Sequence, residues 1–197
     1  MKKKIVIGLT GPIASGKNMV SKMFAKRGAF VIDADTIGHQ VIAPQSKAWH
    51  EIVKVFGSKV LNRGGIVNRK KLAGIVFSKQ GLLKKLDKIA HPEMRRIISA
   101  KIKLAKMSKK KHIVVNAALL IEMKLLPLVD KVIVVLAPKN VRIRRMLKSG
   151  LSRQEALVRI RAQRSDQSYR KSADIVIGNN KTIFDLKKNV IKVISKL

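Results

Sequence analysis

The chain has 197 residues, of which 46% are hydrophobic, and this suffices for one compact domain with an inserted lobe and excludes a disordered chain. Its 44 lysine and arginine residues against 11 aspartate and glutamate residues give a formal charge of +33, which favours polyanionic partners: phosphorylated small molecules, nucleic acid or an acidic membrane surface. The absence of cysteine excludes disulfide bonds, thiolate metal sites and a cysteine nucleophile.

The amino terminus combines three lysines, residues 2–4, with the apolar residues 5–7, as a secretory signal does. Gly8 and Pro12 interrupt the apolar run, and Lys17 follows without a small-residue cleavage pattern. No apolar run elsewhere reaches the roughly 18 residues of a membrane helix. We therefore predict a cytoplasmic protein that does not bind a membrane.

Five short, β-branched apolar runs are typical of strands buried on both faces of a sheet. In chain order they are residues 5–7, 30–32, 113–115, 132–136 and 175–177. Helical patterns fall between them at residues 18–27, 47–56, 69–77, 81–89, 92–107, 140–148, 152–163 and 182–195. The alternation predicts a parallel α/β sheet with right-handed crossovers.

The segment between the second and third predicted strands, residues 36–111, is longer than one crossover needs. It predicts an additional helical lobe on the substrate side of the sheet. Within it, Pro92 is expected to open a helix, where its missing N–H group is harmless. Trp49 and Phe56 are expected to pack the lobe rather than to stack on a base.

A glycine-rich phosphate-binding loop is the strongest functional signal. Residues 11–18, Gly-Pro-Ile-Ala-Ser-Gly-Lys-Asn, follow the first predicted strand and precede a helix. Such a loop turns its N–H groups toward an oxyanion, and the lysine, Lys17, reaches the outer phosphates. Asn18 stands where a Ser or Thr hydroxyl usually ligates Mg²⁺, and its amide oxygen is still a ligand for a hard cation. The loop predicts a nucleotide site.

Two carboxylates, Asp33 and Asp35, follow the second predicted strand, at the edge where open α/β sheets bind their ligands. In extended backbone both would point the same way, and phosphoryl transfer needs such groups to accept a proton and hold metal. The structural alternative is that Asp33 ends the strand and Asp35 caps a helix that begins near Thr36. Glu122 follows the third strand at the same edge. The helical carboxylates are predicted to be surface ion-pair partners: Glu51, Asp87, Glu93, Glu155 and Asp185.

These segments resemble the dephospho-CoA kinase family over nearly the whole chain. The resemblance lies in residues 8–17, residues 31–41, the pair His91-Pro92 and residues 119–122, although Ala118 replaces a proline of the family pattern. It implies a P-loop NTPase fold of the nucleoside-monophosphate-kinase type, an α/β structure with a five-stranded parallel sheet flanked by helices. It also implies a core at about residues 1–35, 112–140 and 172–197, a CoA-binding helical lobe at about 36–111 and a helical lid at about 141–171.

The resemblance further implies a reaction: ATP, with Mg²⁺, phosphorylates the ribose 3′-hydroxyl of dephospho-CoA to give coenzyme A. Asp35 is then the base on that hydroxyl, beside Lys17 and Arg144 as catalytic residues. ATP binding falls on Gly11, Ala14, Ser15, Gly16, Lys17, Asn18, Met19, Arg170 and Asn179. Binding of dephospho-CoA falls on Asp33, Asp35, Arg69, His91, Pro92, Glu122 and Gln163, and metal binding on Asn18 and Asp33.

Arginines concentrate in the predicted lid, and arginine forks stabilise charge on a transferring phosphoryl group. One helix turns only some of its residues inward. Arg144 and Arg170 are predicted to face the site, whereas Arg142, Arg145 and Arg161 are predicted to lie on a solvated face. For His91 two roles stay open, a residue at a helix N-terminus or a substrate contact.

Two other functions compete with this interpretation. A shikimate kinase also has a proline in its loop, but its Gly-Gly-Gly run after the third strand is Asn-Ala-Ala here, at residues 116–118. A nucleic-acid-binding NTPase would account for the charge, yet 4% aromatic residues leave few for base stacking. We therefore expect ATP and dephospho-CoA as partners of a monomer or weak oligomer, and no nucleic acid.

Overall fold

The computed structural model describes residues 4–78 and 81–197, so Lys2 and Lys3 of the basic amino-terminal stretch lie outside the described residues. The chain divides into two compact units. A sheet unit comprises Met1–Ile32 and Lys101–Leu197, and a helical unit comprises Asp33–Ala100. None of the helices described has the length and apolar character that crossing a bilayer demands.

Five strands in the described part of the chain form one parallel sheet, as the apolar runs predicted. They are β1 (Ile5–Thr10), β2 (Phe30–Asp33), β3 (His112–Asn116), β4 (Lys131–Leu136) and β5 (Ile175–Gly178). Their order across the sheet is β2-β3-β1-β4-β5. The central strand β1 pairs Leu9 with Asn116 of β3 and Thr10 with Val134 of β4. The loop that follows β1 therefore emerges between the ends of β3 and β4.

Nine α-helices lie within residues 4–78 and 81–197. They are α1 (Lys17–Lys26), α2 (Ala34–Val41), α3 (Lys47–Phe56), α4 (Arg69–Ser78), α5 (Leu82–Met107), α6 (Lys139–Lys148), α7 (Arg153–Arg161), α8 (Asp166–Lys171) and α9 (Ile183–Ile194). Short 3-10 helices span Ser58–Val60 and Leu126–Leu128. The sequence pattern missed α8, which has six residues and is too short to show a helical period.

Helix α5 is one continuous helix of 26 residues with Pro92 inside it. The prediction of two helices, with Pro92 at the start of the second, is therefore wrong. A proline inside a helix removes one backbone hydrogen bond and crowds the preceding turn, at a cost of about 3 kcal/mol. The long apolar face of α5, which includes the buried Ile98 and Ile102, supplies the packing that offsets this cost.

An apolar core fixes α1 and α9 on one face of the sheet. Val20 and Phe24 of α1 lie four residues apart, on one side of that helix, and Leu186 and Val190 of α9 repeat the spacing. All four are buried in one cluster with Ile7, Leu9, Val114, Ile133, Val135 and Ile177 of the strands. Because α1 begins at Lys17, this packing also sets the position of the loop that precedes it.

The helical unit has a separate core. Ile52 and Phe56 of α3 are buried with Leu72 and Val76 of α4, and Trp49 packs against the same cluster. The indole N–H of Trp49 donates to the carbonyl oxygen of Gly65 at 2.8 Å, which satisfies its polar group. The prediction that Trp49 and Phe56 pack this lobe is confirmed.

Truncating Phe24 tests the role of the α1 packing. Phe24 is 1% exposed, so Phe24→Ala leaves a cavity and should lower the free energy of unfolding by about 3–5 kcal/mol. Phe184 on α9 is 66% exposed, and the matched Phe184→Ala change should cost less than about 0.5 kcal/mol. Urea unfolding followed by far-ultraviolet circular dichroism measures both values. Equal losses in the two variants would contradict the assigned core.

Candidate active site

The loop between β1 and α1 turns sharply through positive φ angles. The angle φ is 150° at Gly11, 58° at Ala14 and 99° at Gly16. A Cβ atom at Gly11 would lie 2.3 Å from the Val135 carbonyl oxygen, and one at Gly16 would lie 2.0 Å from Asn179 Nδ2. Both positions therefore require glycine. The turn ends at Lys17 and Asn18, the first residues of α1, whose N–H groups have no acceptor within the helix and are available to an anion.

The carbonyl oxygens of this loop are held by Arg145 of α6 and by Asn179, which follows β5. Arg145 Nη1 donates to Ala14 O at 3.0 Å and to Ser15 O at 3.1 Å, and its Nη2 donates to Asn179 O at 3.1 Å. Asn179 Nδ2 donates to Ser15 O at 2.7 Å. Two side chains thus occupy the carbonyl oxygens of Ala14 and Ser15 and stabilise the loop there.

Two of the predictions for the arginines are wrong. Arg142 is 4% exposed, and its Nη2 pairs with Asp166 Oδ1 of α8 at 2.9 Å. Arg145 contacts the loop, and burial, with a smaller contribution from the charge of Arg144, lowers its pKa. Both lie on the side of α6 that also carries the buried Met146, because residues three and four apart share a helix face. The solvated face predicted for them is correct for Arg161, which is exposed.

Lys17 belongs to a cluster of polar side chains at the start of α1, in which Lys17 and Asn116 are buried and Asn18 is exposed. Its Nζ donates to Asn116 Oδ1 at 2.7 Å and to Asn18 Oδ1 at 3.1 Å. Asn116 Nδ2 also donates to Asn18 Oδ1, at 3.3 Å. Lys17 is 7% exposed and Asn116 is 1% exposed. Sequence reasoning missed Asn116 because only the strand order, with β3 beside β1, brings residue 116 to the loop.

A magnesium ion accompanies ATP in phosphoryl transfer, and this cluster lies where P-loop enzymes hold that ion. Amide oxygens are suitable ligands for a hard cation. Asn18 Oδ1, however, accepts hydrogen bonds from both Lys17 and Asn116, and Asn116 Oδ1 accepts from Lys17. In this arrangement the oxygen of Asn18 has no lone pair left for a metal. The pair therefore does not fit direct ligation without rearrangement.

Other predicted site residues of the sheet unit lie around the loop or on the surface. Gln163 Oε1 accepts from the N–H group of Ile13 at 2.8 Å, which joins the segment after α7 to the loop. Glu122 Oε1 pairs with Arg164 Nε at 3.0 Å. The side chains of Met19, Arg144 and Arg170 are exposed. The Ser15 hydroxyl is buried and has no hydrogen-bond partner within the described residues.

In the helical unit, Asp33 caps α2. Its Oδ1 accepts from the N–H group of Thr36 at 3.0 Å, and the helix begins at Ala34. The expectation that Asp33 and Asp35 share one face of extended backbone is wrong, because the chain becomes helical between them. The alternative that Asp35 is the cap is also wrong. Asp35 lies exposed in the first turn of α2, where the helix dipole favours a carboxylate.

Two other predicted substrate residues of this unit, His91 and Arg69, contact neighbouring side chains. His91 lies within α5, so its placement at a helix N-terminus is wrong, and its Nε2 is 3.4 Å from Asp87 Oδ1. Burial raises the pKa of Asp87, and the nearby charge of His91 partly opposes this. Arg69 Nη1 hydrogen-bonds His39 Nε2. Asp87 thus contacts a basic side chain, His91, and the predicted ion pair requires the protonated form of that histidine.

The chain is similar to known proteins along its length. A family model described as dephospho-CoA kinase matches residues 5–185. The dephospho-CoA kinase of Carboxydothermus hydrogenoformans is 38% identical over 192 residues, which cover 97% of this chain and 93% of that one. The solved structure of a Campylobacter jejuni dephospho-CoA kinase is 27% identical with a TM-score of 0.73, and covers 98% of this chain and 97% of that one.

A shikimate kinase from Acinetobacter baumannii, solved in complex with shikimate, has a TM-score of 0.55 at 16% identity and covers 99% of this chain and 95% of that one. This similarity is one of fold alone. It agrees with a five-stranded parallel sheet flanked by helices.

Replacing Arg145 by lysine tests whether the guanidinium shapes the loop. Arg145→Lys keeps the charge but loses the fork that reaches two residues of the loop and Asn179 at once, so ATP affinity should fall about tenfold. Arg161→Lys on the exposed face of α7 is the matched control and should bind ATP as the wild type does. Calorimetric titration with ATP measures both affinities. Unchanged affinity in Arg145→Lys would contradict the role of this side chain.

Tyr169 of α8 gives a test in alkaline solution. Burial, followed by the charge of Glu122, raises the pKa of this buried phenol from 10.0 to about 12. The unfolded chain therefore releases this proton first, and stability present below pH 10 is lost as the pH rises toward 12. The difference in unfolding free energy between wild type and Tyr169→Phe should shrink by about 2 kcal/mol over that interval and stay constant at lower pH. Urea unfolding at a series of pH values measures it, and a constant difference throughout would contradict the assigned burial.

Proposed function

Because this chain belongs to the dephospho-CoA kinase family, we propose that its loop at residues 11–17 holds the triphosphate of ATP during phosphorylation of dephospho-CoA. The enzyme transfers the γ-phosphoryl group to the ribose 3′-hydroxyl and produces coenzyme A and ADP, which completes coenzyme A synthesis. The bond between the γ-phosphorus and the bridging oxygen breaks, a bond to the 3′-oxygen forms, and the hydroxyl proton passes to a base. The observation that carries the proposed site is the buried Lys17 at the end of a glycine-containing loop. Arg145 and Asn179 donate to the carbonyl oxygens of Ala14 and Ser15 in that loop.

We propose that Lys17 binds the outer phosphates of ATP. Its ammonium is already oriented by Asn116, so little side-chain entropy is lost when the anion arrives. The N–H groups of Gly16, the N-cap of α1, and of Lys17 and Asn18 in its first turn are expected to bind the phosphate oxygens, whereas the N–H group of Met19 donates to Gly16 O at 3.0 Å. Arg144 and Arg170 lie exposed in the region of α6 to α8, and we propose that they stabilise charge that develops on the γ-phosphoryl group.

We propose that Asp35 is the base. Asp35 lies exposed in the first turn of α2, and its carboxylate would accept the proton as the 3′-oxygen attacks. Asp33 supports this residue indirectly, since its cap fixes the start of α2. For binding of dephospho-CoA we propose Arg69, His91 and Pro92 of the helical unit. For the sheet unit we propose Glu122 and Gln163 as substrate-binding residues.

We propose Mg²⁺ as the metal that accompanies ATP. It would supply positive charge beside the phosphates, although the Asn18–Asn116 pair as arranged here does not ligate it directly. The net charge of +33 increases the local concentration of both substrates, which are polyanions. We further propose that the enzyme acts in the cytoplasm as a monomer or weak oligomer.

A substrate comparison tests the proposed function. ADP release is coupled to a spectrophotometric assay while dephospho-CoA, shikimate and nucleoside monophosphates are offered separately with MgATP. Release is expected to depend on dephospho-CoA. Release with shikimate or a nucleoside monophosphate, and none with dephospho-CoA, would refute the proposal.

The role of Asp35 is tested by Asp35→Asn. The amide cannot accept the hydroxyl proton, so kcat should fall by about two to four decades while ATP affinity is retained. Glu51→Gln makes the same change from carboxylate to amide at an exposed position of α3, in the same unit, and should keep the wild-type rate. Steady-state kinetics with dephospho-CoA measure both. A wild-type rate in Asp35→Asn would assign the base to another residue.

A further inference from the structure

The amide cluster around Lys17 differs from the usual chemistry of a phosphate loop. P-loop enzymes generally hold magnesium with a Ser or Thr hydroxyl directly after the loop lysine and with an aspartate at the end of a neighbouring strand. In this chain Asn18 follows the loop lysine, and Asn116 ends β3, next to β1. Both positions that commonly serve the metal therefore carry neutral amides, and both amides contact Lys17 instead.

We propose that Asn116 is a positioning residue for Lys17, and that the neutral Asn18–Asn116 pair makes ATP binding depend less on magnesium than a pair containing a carboxylate would. This inference rests on the proposed role of the loop in binding ATP. The amide oxygen of Asn116 holds the ammonium at 2.7 Å without adding negative charge beside the phosphates.

The charge balance of the pocket supports this assignment. A carboxylate at residue 116 would repel the triphosphate at short range in a buried site, where charges are poorly screened, and a divalent cation would be needed to relieve that repulsion. With an amide there, the repulsion is absent at this position. The hydrogen bonds from Lys17 and Asn116 to Asn18 Oδ1 also support the inference. That oxygen accepts from two donors and is not presented to a cation.

The experiment measures ATP affinity without turnover, in the absence of dephospho-CoA. Calorimetric titrations with ATP are run in excess EDTA and in excess MgCl₂, and the ratio of the two dissociation constants reports the dependence on metal. Asn116→Asp should raise this ratio about tenfold over the wild type, since one added charge weakens the binding of metal-free ATP most. Asn18→Asp adds the same charge at the exposed partner of Lys17 and should act in the same direction, which keeps the test valid if the buried Asn116→Asp variant does not fold.

Two further variants separate charge from position. Asn116→Leu has a similar size but no hydrogen-bonding group, so it should weaken ATP binding in both media to a similar degree and leave the ratio unchanged. Asn140→Asp at the exposed start of α6 adds a negative charge elsewhere on the sheet unit and should change neither affinity nor ratio. Thermal unfolding of each variant confirms that it is folded.

Two results would overturn the inference. If the folded Asp variants had the same ratio of ATP dissociation constants in EDTA and in MgCl₂ as the wild type, the proposed effect of charge would be wrong. Wild-type affinity of Asn116→Leu in both media would remove the positioning role. Failure of the proposed function is recognised separately, since it would abolish the ADP release that depends on dephospho-CoA while the ATP titrations still reported on the loop.

Discussion

The contact between the Lys17 ammonium and Asn116 links the loop after β1 to the neighbouring strand of the sheet. Lys17 is the first residue of α1, and its Nζ is held at 2.7 Å by Asn116 from the end of β3. The contact joins the loop after the central strand to the neighbouring strand, so the loop is anchored on the rigid part of the fold. A buried, oriented ammonium is suited to bind an anion, because its orientation is determined before the anion arrives.

A second group of contacts holds the same loop from its other side. Arg145 and Asn179 occupy the carbonyl oxygens of Ala14 and Ser15, and Gln163 accepts from the N–H group of Ile13. These residues lie far apart in the chain, on α6, after β5 and after α7. The loop is thus built by several elements, and phosphoryl transfer depends on such positioning more than on any single reactive group.

The charge of +33 has more than one structural consequence. Arg142 is buried in an ion pair with Asp166, Arg145 binds the loop, and Arg144 between them is exposed. Arg142 and Arg145 share one face of α6 but contact different groups there, and Arg144 lies on another face, which is exposed. Basic composition predicts anionic substrates, but the role of each arginine depends on the face of α6 that it occupies.

Local sequence determined the five strands, most helices, the loop and Lys17, because apolar period and glycine spacing act over a few residues. The prediction from local sequence failed at Pro92, because the packing of α5 outweighs the tendency of proline to end a helix. It also failed at Asp33 and Asp35, because Asp33 is an N-cap and a helix begins directly after the strand. Only the tertiary structure decided that Asn116 meets Lys17 and that Arg145 meets the loop. Those contacts follow from strand order and helix docking, which join residues 99 and 131 positions apart and leave no trace in a local pattern.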